Sequence, residues 1–70
     1  MATEKHLQLT GSSEISWKDA ITQTINEASK TIDYLNSVTI LGQTAKITGK
    51  KITEYLVDLD LSFTIDHDRE

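Results

Sequence analysis

The stretch I-T-E-Y-L-V-D-L-D-L-S-F-T-I, residues 52–65, decides the fold. Tyr55, Val57, Leu59, Leu61, Phe63 and Ile65 are odd-numbered and apolar, whereas Glu54, Asp58, Asp60, Ser62, Thr64 and Asp66 are even-numbered and polar. A period of two describes a β-strand with one face on a core and the other toward water. Leu56 is the one break in the alternation. At about 3.3 Å per residue the run extends about 46 Å, far beyond a usual strand of about 5–6 residues. A three-stranded sheet on a single helix is not expected to use that length internally. Overhanging backbone is normally paired or covered, so the pattern predicts strand contacts with other copies of the chain.

Working outward, Thr48-Gly49-Lys50 predicts a tight hairpin turn. Before it, residues 37–48 (S-V-T-I-L-G-Q-T-A-K-I-T) are rich in β-branched side chains and predict a second strand. Gly42 inside that strand predicts a bulge or bend. Upstream, Ser16 is a helix cap with Asp19 three residues later, a weak capping box. Trp17, Ala20, Ile21, Ile25, Ala28, Ile32 and Leu35, with Thr24 and Thr31 among them, fall in an arc of about 140° on a helical wheel. This predicts a helix from Trp17 to Leu35, about 29 Å long, ended by Asn36-Ser37. Lys5 to Thr10 alternates again and predicts a first strand, broken by Gly11-Ser12-Ser13. The expected fold is α+β, β-α-β-β, as one domain over residues 1–70 with frayed ends at about 1–4 and 67–70.

The chain has 70 residues and no cysteine. A chain this short buries only about 60% of its unfolded surface. Domains below about 70–80 residues usually add disulfides, a metal or self-association. Disulfides and thiolate metal sites are excluded. The two histidines, His6 and His67, lie near opposite ends, so a zinc cluster within one subunit is not expected. Self-association remains as the leading source of extra burial. A net charge of −4, with no basic cluster beyond Lys50-Lys51, argues against a nucleic-acid partner. The N-terminus lacks the apolar run of a signal peptide, and apolar stretches of two or three residues are too short to span a membrane. The expected location is cytoplasmic.

Four segments carry a resemblance. Leu9-Thr10-Gly11-Ser12-Ser13, Ser16-Trp17-Lys18-Asp19-Ala20-Ile21, Ala28-Ser29-Lys30-Thr31-Ile32 and Lys51-Ile52-x-x-Tyr55-x-Val57-x-Leu59-x-Leu61-x-Phe63 together resemble the dodecin family, without gaps from about Lys5 to Ile65. The resemblance implies a three-stranded antiparallel sheet partly wrapped around one long helix. It implies a hollow homododecameric shell with cubic symmetry that binds and stores flavins (riboflavin, FMN or FAD) in pairs at subunit interfaces, and it implies no enzymatic activity.

The sequence departs from that pattern where the ligand binds. Flavin-binding members carry a tryptophan that stacks on the flavin where this chain has Ser37, and a glutamine that bonds its polar edge where this chain has Leu56. A lost stack removes about 1–3 kcal/mol and a lost polar partner about 1 kcal/mol more. Flavin affinity is therefore expected to fall by about two orders of magnitude or more, leaving a weakened or altered site. Thr39 and Gln43 share strand phase with Ser37 and join it as candidate ligand contacts, provided Gly42 does not shift the phase. Leu56 reads as facing a neighbouring subunit or an apolar ligand. Trp17, the only tryptophan, reads as a core anchor on the apolar arc, with a ring relocated to stack on a ligand as the alternative.

The alternative function is a structural or calcium-binding shell. Asp58 and Asp60 share a strand face at about 6.6–7 Å spacing. With carboxylates from symmetry-related subunits they would supply oxygens of the kind calcium takes, although no calcium-loop motif is present. The competing reading is a hydrated polar face. Glu27, Lys30, Asp33 and Glu54 are candidates for ion pairs between subunits, of small energetic weight. No phosphate-cradling glycine pattern occurs, and no serine has a histidine at a plausible sequence position, so no catalytic constellation is expected.

Overall fold

The computed structural model of the chain describes residues 2–66. Its elements are β1 (Ala2–Ser13), α1 (Trp17–Ala28), β2 (Leu35–Thr48) and β3 (Lys51–Asp66). The strands form one antiparallel sheet in the order β1-β3-β2, so the strand with the cleanest alternation is the central one. This is the expected β-α-β-β fold. Val57, Leu59 and Leu61 of β3 are almost fully buried, as is Ala20 of α1. Trp17, Ile21 and Val38 pack around this cluster. At about 3.3 Å per residue, the 16 residues of β3 account for the 55 Å length of the chain, whose other extents are 19 and 12 Å.

The expected overhang of β3 does not occur. β2 pairs it from Lys51 to Phe63 and β1 from Tyr55 to Asp66, because β1 and β2 are themselves 12 and 14 residues long. The strand edges left without a partner in the lone chain belong to β1 and β2. Residues 11–13, which composition marks as a break, continue β1 opposite Val57, Leu56 and Tyr55. Gly11 serves packing there: a Cβ would collide with Thr24 Oγ1 and lie 3.2 Å from the Ala20 carbonyl. Residues 2–4 are likewise in strand; Met1 and residues 67–70, including His67, lie outside the described residues.

The helix ends at Ala28, seven residues before the expected Leu35. Beyond it, Lys30 N–H donates to the Glu27 carbonyl and Thr31 N–H to that of Ala28, three-residue spans that tighten the chain. Ser29 and Thr31 hydroxyls bond back to the carbonyls of Asn26 and Ala28, offering the backbone an alternative to a further helical turn. At the other end Ser16 caps as expected, its Oγ accepting from Asp19 N–H at 3.0 Å. Asp19 does not complete the capping box directly. Its carboxylate takes the Ser13 hydroxyl and the Gln23 amide at 2.6 Å each, while Ser13 Oγ accepts from Ile15 N–H at 2.9 Å and Ser16 N–H at 3.5 Å.

Gly49 turns the β2–β3 hairpin with φ +65°, the left-handed region in which glycine carries no steric cost. The bulge expected near Gly42 is present. Ile40 pairs with Leu59 and Gly42 with Asp58, leaving Leu41 as the extra residue; further register shifts fall at Asn36 and between Lys46 and Ile47.

Candidate functional site on the helix-free sheet face

Residues directly opposite in an antiparallel pair share a sheet face. On β3 the even-numbered residues face away from α1. Their β1 partners are Glu4, His6, Gln8, Thr10 and Ser12. Their β2 partners are Ser37 opposite Ser62, Thr39 opposite Asp60, Gly42 opposite Asp58, Thr44 opposite Leu56 and Lys46 opposite Glu54. Ser37, Thr39, Leu56, Asp58 and Asp60 therefore occupy one face.

Gln43 does not join them. The bulge at Leu41 changes the strand phase and pairs Gln43 with buried Val57, on the helix side. Nor do Ser37 and Leu56 form one pocket within the chain. Ser37 stands opposite Ser62, and Ser62 lies six residue steps along β3 from Leu56, about 20 Å at strand spacing.

The centre of this face is a hydrogen-bonded cluster. His6 Nδ1 lies 2.7 Å from Asp60 Oδ2, and its Nε2 lies 3.2 Å from Glu4 Oε1. These two carboxylates hold the imidazolium form and push the His6 pKa above its ordinary value, the hydrogen bond that His6 donates to Asp60 being the largest cause. Thr10 Oγ1 donates to Asp58 Oδ1 at 2.8 Å. Ser62, between His6 and Ser37 in the sheet, is buried, and its hydroxyl has no hydrogen-bond partner among the described residues. Sequence reasoning set His6 aside as terminal. The signal that would have found it is strand pairing, since its even-numbered phase on β1 matches that of Asp60 and Ser62.

Both aspartates singled out for calcium thus already have protein partners, and no group of three or more His, Asp or Glu side chains among the described residues is placed to hold a metal ion. Glu27, Lys30 and Glu54, expected to reach between subunits, pair within the chain: Lys30 with Glu27 at 3.0 Å and Lys46 with Glu54 at 3.4 Å. Trp17 is an anchor. Its ring meets Tyr55 edge-on at 4.9 Å, and its indole N–H donates to the Thr44 carbonyl at 3.1 Å.

Comparison with known proteins decides the family, since the dodecin family model matches residues 3–66. The chain belongs to the dodecin family. An arginine-to-alanine variant of the Thermus thermophilus dodecin superposes with a TM-score of 0.89 at 25% identity, covering 96% of this chain and all of that one. Dodecin from Streptomyces davaonensis gives 0.87 at 23% identity, covering 94% of this chain and 97% of that one. A calcium dodecin from Mycobacterium tuberculosis, described as a calcium-chelating antigen with a novel calcium-binding site, gives 0.79 at 22% identity over 97% of both chains. No curated protein matches the sequence.

Dodecin resemblance implies a flavin, and the sheet positions next to Ser37 on the helix-free face supply no ring to stack on one. Tyr55 and Phe63 are on the helix side of β3 by their odd-numbered phase, and Trp17 is committed to the core. The sheet residues around Ser37 are Ser62, Thr39 and Asp60, none of which offers a ring.

Proposed function

We propose that this chain is the subunit of a closed dodecin-type shell, a homododecamer as the family resemblance implies, that holds a small molecule between subunits and performs no catalysis. We place it in the cytoplasm. No helix among the described residues is long and apolar enough to cross a membrane. The observation that carries the proposal is shape. A compact 70-residue domain has a radius of gyration of about 11 Å, whereas this chain has 14.8 Å. It is one helix and one sheet thick, and Ile40, Leu41, Ile47 and Ile52 are about half exposed or more. Assembly covers such surface without further sequence.

The ligand surface in this reading is altered from the flavin type, with Ser37 and Thr39 from one subunit facing Leu56 of another. The 20 Å between Ser37 and Leu56 on one chain supports a site built by two copies. Native mass spectrometry tests the assembly and any retained small molecule together; a monomer at micromolar concentration rejects it. Titration of riboflavin against Ser37→Trp/Leu56→Gln tests the surface. Flavin fluorescence should be quenched at least tenfold more tightly than by the parent, and equal titrations would place the ligand elsewhere.

The calcium alternative has less support, because Asp58 and Asp60 are engaged by Thr10 and His6. Calorimetry with calcium on the parent and on Asp58→Asn/Asp60→Asn discriminates it. Equal heats are expected; a calcium heat lost in the variant would favour the ion-binding shell.

A further inference from the structure

The helix-free face of the sheet already holds one cation of its own. His6 Nδ1 donates to Asp60 Oδ2 at 2.7 Å, and its Nε2 lies 3.2 Å from Glu4 Oε1. Beside that pair stand four oxygen-bearing side chains. Asp60 and Ser62 are two steps apart on β3, with Thr39 and Ser37 opposite them on β2. The four are spaced by about 6.6–7 Å along the strands and about 5 Å across them. His6 engages one carboxylate oxygen of Asp60 and leaves the other to a ligand. Ser62 is 4% exposed, and its hydroxyl has no hydrogen-bond partner among the described residues. A buried hydroxyl without a partner is costly, and strand phase puts this one on the same face as Asp60 and Ser37. We propose that Asp60, Ser62, Thr39 and Ser37 bind an ammonium group, and that the ligand of this face is a small organic molecule carrying a primary amine.

Charge and hydrogen-bond count select the ligand. An ammonium group has three N–H donors and no acceptor. The second Asp60 oxygen and the hydroxyls of Ser62 and Thr39 are acceptors to match. The face also carries Glu4, Asp58 and Glu54 against Lys46 and His6, and the chain carries −4, so it attracts a cation and opposes a phosphate or carboxylate. Calcium takes about six to eight oxygens, and no group of three or more His, Asp or Glu side chains among the described residues is placed to hold a metal ion. Gly42 puts no side chain opposite Asp58, which leaves room beside Thr39 for the carbon chain of the amine. The groups around Asp60 are Glu4 and His6 from β1, Asp58 on its own strand and the uncharged Ser37 and Thr39 from β2, with α1 on the other side of the sheet. The His6 imidazolium therefore competes with the ligand for Asp60. An alkylammonium, like lysine with its pKa of about 10.4, keeps its charge while His6 loses its proton. Affinity should rise as pH rises through the raised His6 value.

This inference rests on the ligand surface proposed around Ser37 and Thr39, and the test separates the two. Butylamine is titrated calorimetrically into the full chain at about 0.15 M salt, which screens long-range attraction. The parent is compared with Asp60→Asn, Ser62→Ala and Asp33→Asn, the last making the same charge change at an exposed residue outside the sheet. The parent should bind saturably. Asp60→Asn should lower affinity about tenfold or more and Ser62→Ala about fivefold, whereas Asp33→Asn should leave it unchanged. Ser62→Ala removes an unpartnered buried hydroxyl, so it should be at least as stable as the parent, and it decides the matter if Asp60→Asn fails to fold. His6→Gln should flatten the rise of affinity with pH. Affinity that Asp60→Asn and Ser62→Ala leave unchanged, or that Asp33→Asn lowers equally, would overturn the ammonium site while leaving the ligand surface standing. Calcium bound more tightly than the amine, and lost in Asp60→Asn, would overturn it in favour of a metal. Equal riboflavin titrations of the parent and Ser37→Trp/Leu56→Gln would reject the ligand surface and this inference with it.

Discussion

His6 is the residue whose role changes most between sequence and structure. Held between Asp60 and Glu4, it binds its proton more tightly in the folded chain than in the unfolded one. The stabilisation is therefore fully present below the ordinary histidine pKa of about 6.5 and is lost as pH rises through the raised folded value. Thermal midpoints measured at low salt should fall over that interval in the parent. His6→Gln should remove that part of the fall, and its deficit against the parent should be greatest on the acid side of the interval. Parallel profiles would mean that the imidazole contributes nothing. Gly11 makes a second residue-scale prediction. The first atom an alanine methyl meets is Thr24 Oγ1, with the helix backbone behind it. Gly11→Ala should destabilise by about 1–3 kcal/mol in denaturant titration. Part of that loss should be recovered in Gly11→Ala/Thr24→Ala, because the nearer obstacle is gone and the Ala20 carbonyl remains.

At the scale of elements, legibility followed the strength of the periodic signal. β3 could be read from its alternation, and Gly49 and Gly42 correctly marked a turn and a bulge, because each signal is local. The helix end was lost because Ile32 and Leu35 continue the 3.6 period, whereas Ser29 and Thr31 bond to the backbone and divert it. The end of β1 was lost because Gly11-Ser12-Ser13 has turn composition. Its glycine answers to Thr24 across the interface, and its serine to Asp19 at the cap, neither visible in a local window. Gln43 was assigned to the wrong face because a bulge displaces every residue beyond it by one step of a two-step period. The cap is therefore the element-scale test. Ser13 is buried, donates to Asp19 and accepts from two backbone N–H groups. Ser13→Ala should cost about 1–3 kcal/mol, more than a mean hydrogen bond, since it removes one of the two side-chain partners of the Asp19 carboxylate together with the acceptor of two backbone N–H groups. Ser16→Ala, which removes one accepted bond, should cost about 1 kcal/mol. Urea midpoints for the two variants check the order.

For the whole molecule, stability and assembly are one question. Among the described residues the buried apolar ones are Ala20, Ala28, Val57, Leu59 and Leu61, all at the α1–β3 seam or the end of α1, while β2 lends only its half-buried members. Backbone ordering alone opposes folding by about 1–2 kcal/mol per residue, and five small or medium side chains under one 12-residue helix offset little of that for a 70-residue chain. Hydrogen bonds of the sheet contribute modestly net. The remainder is expected to come from copies of the chain, so the thermal midpoint should depend on concentration. Raising protein from 1 to 100 µM should shift the midpoint upward by several degrees, about 4–8 °C for each kcal/mol gained in a domain of this size. Ile40→Glu should lower the midpoint and displace the dissociation to higher concentration. A parent midpoint that does not move with concentration while mass spectrometry reports a monomer would mean that the α1–β3 seam is sufficient alone, and that the exposed flank of β2 has some other reason to be apolar.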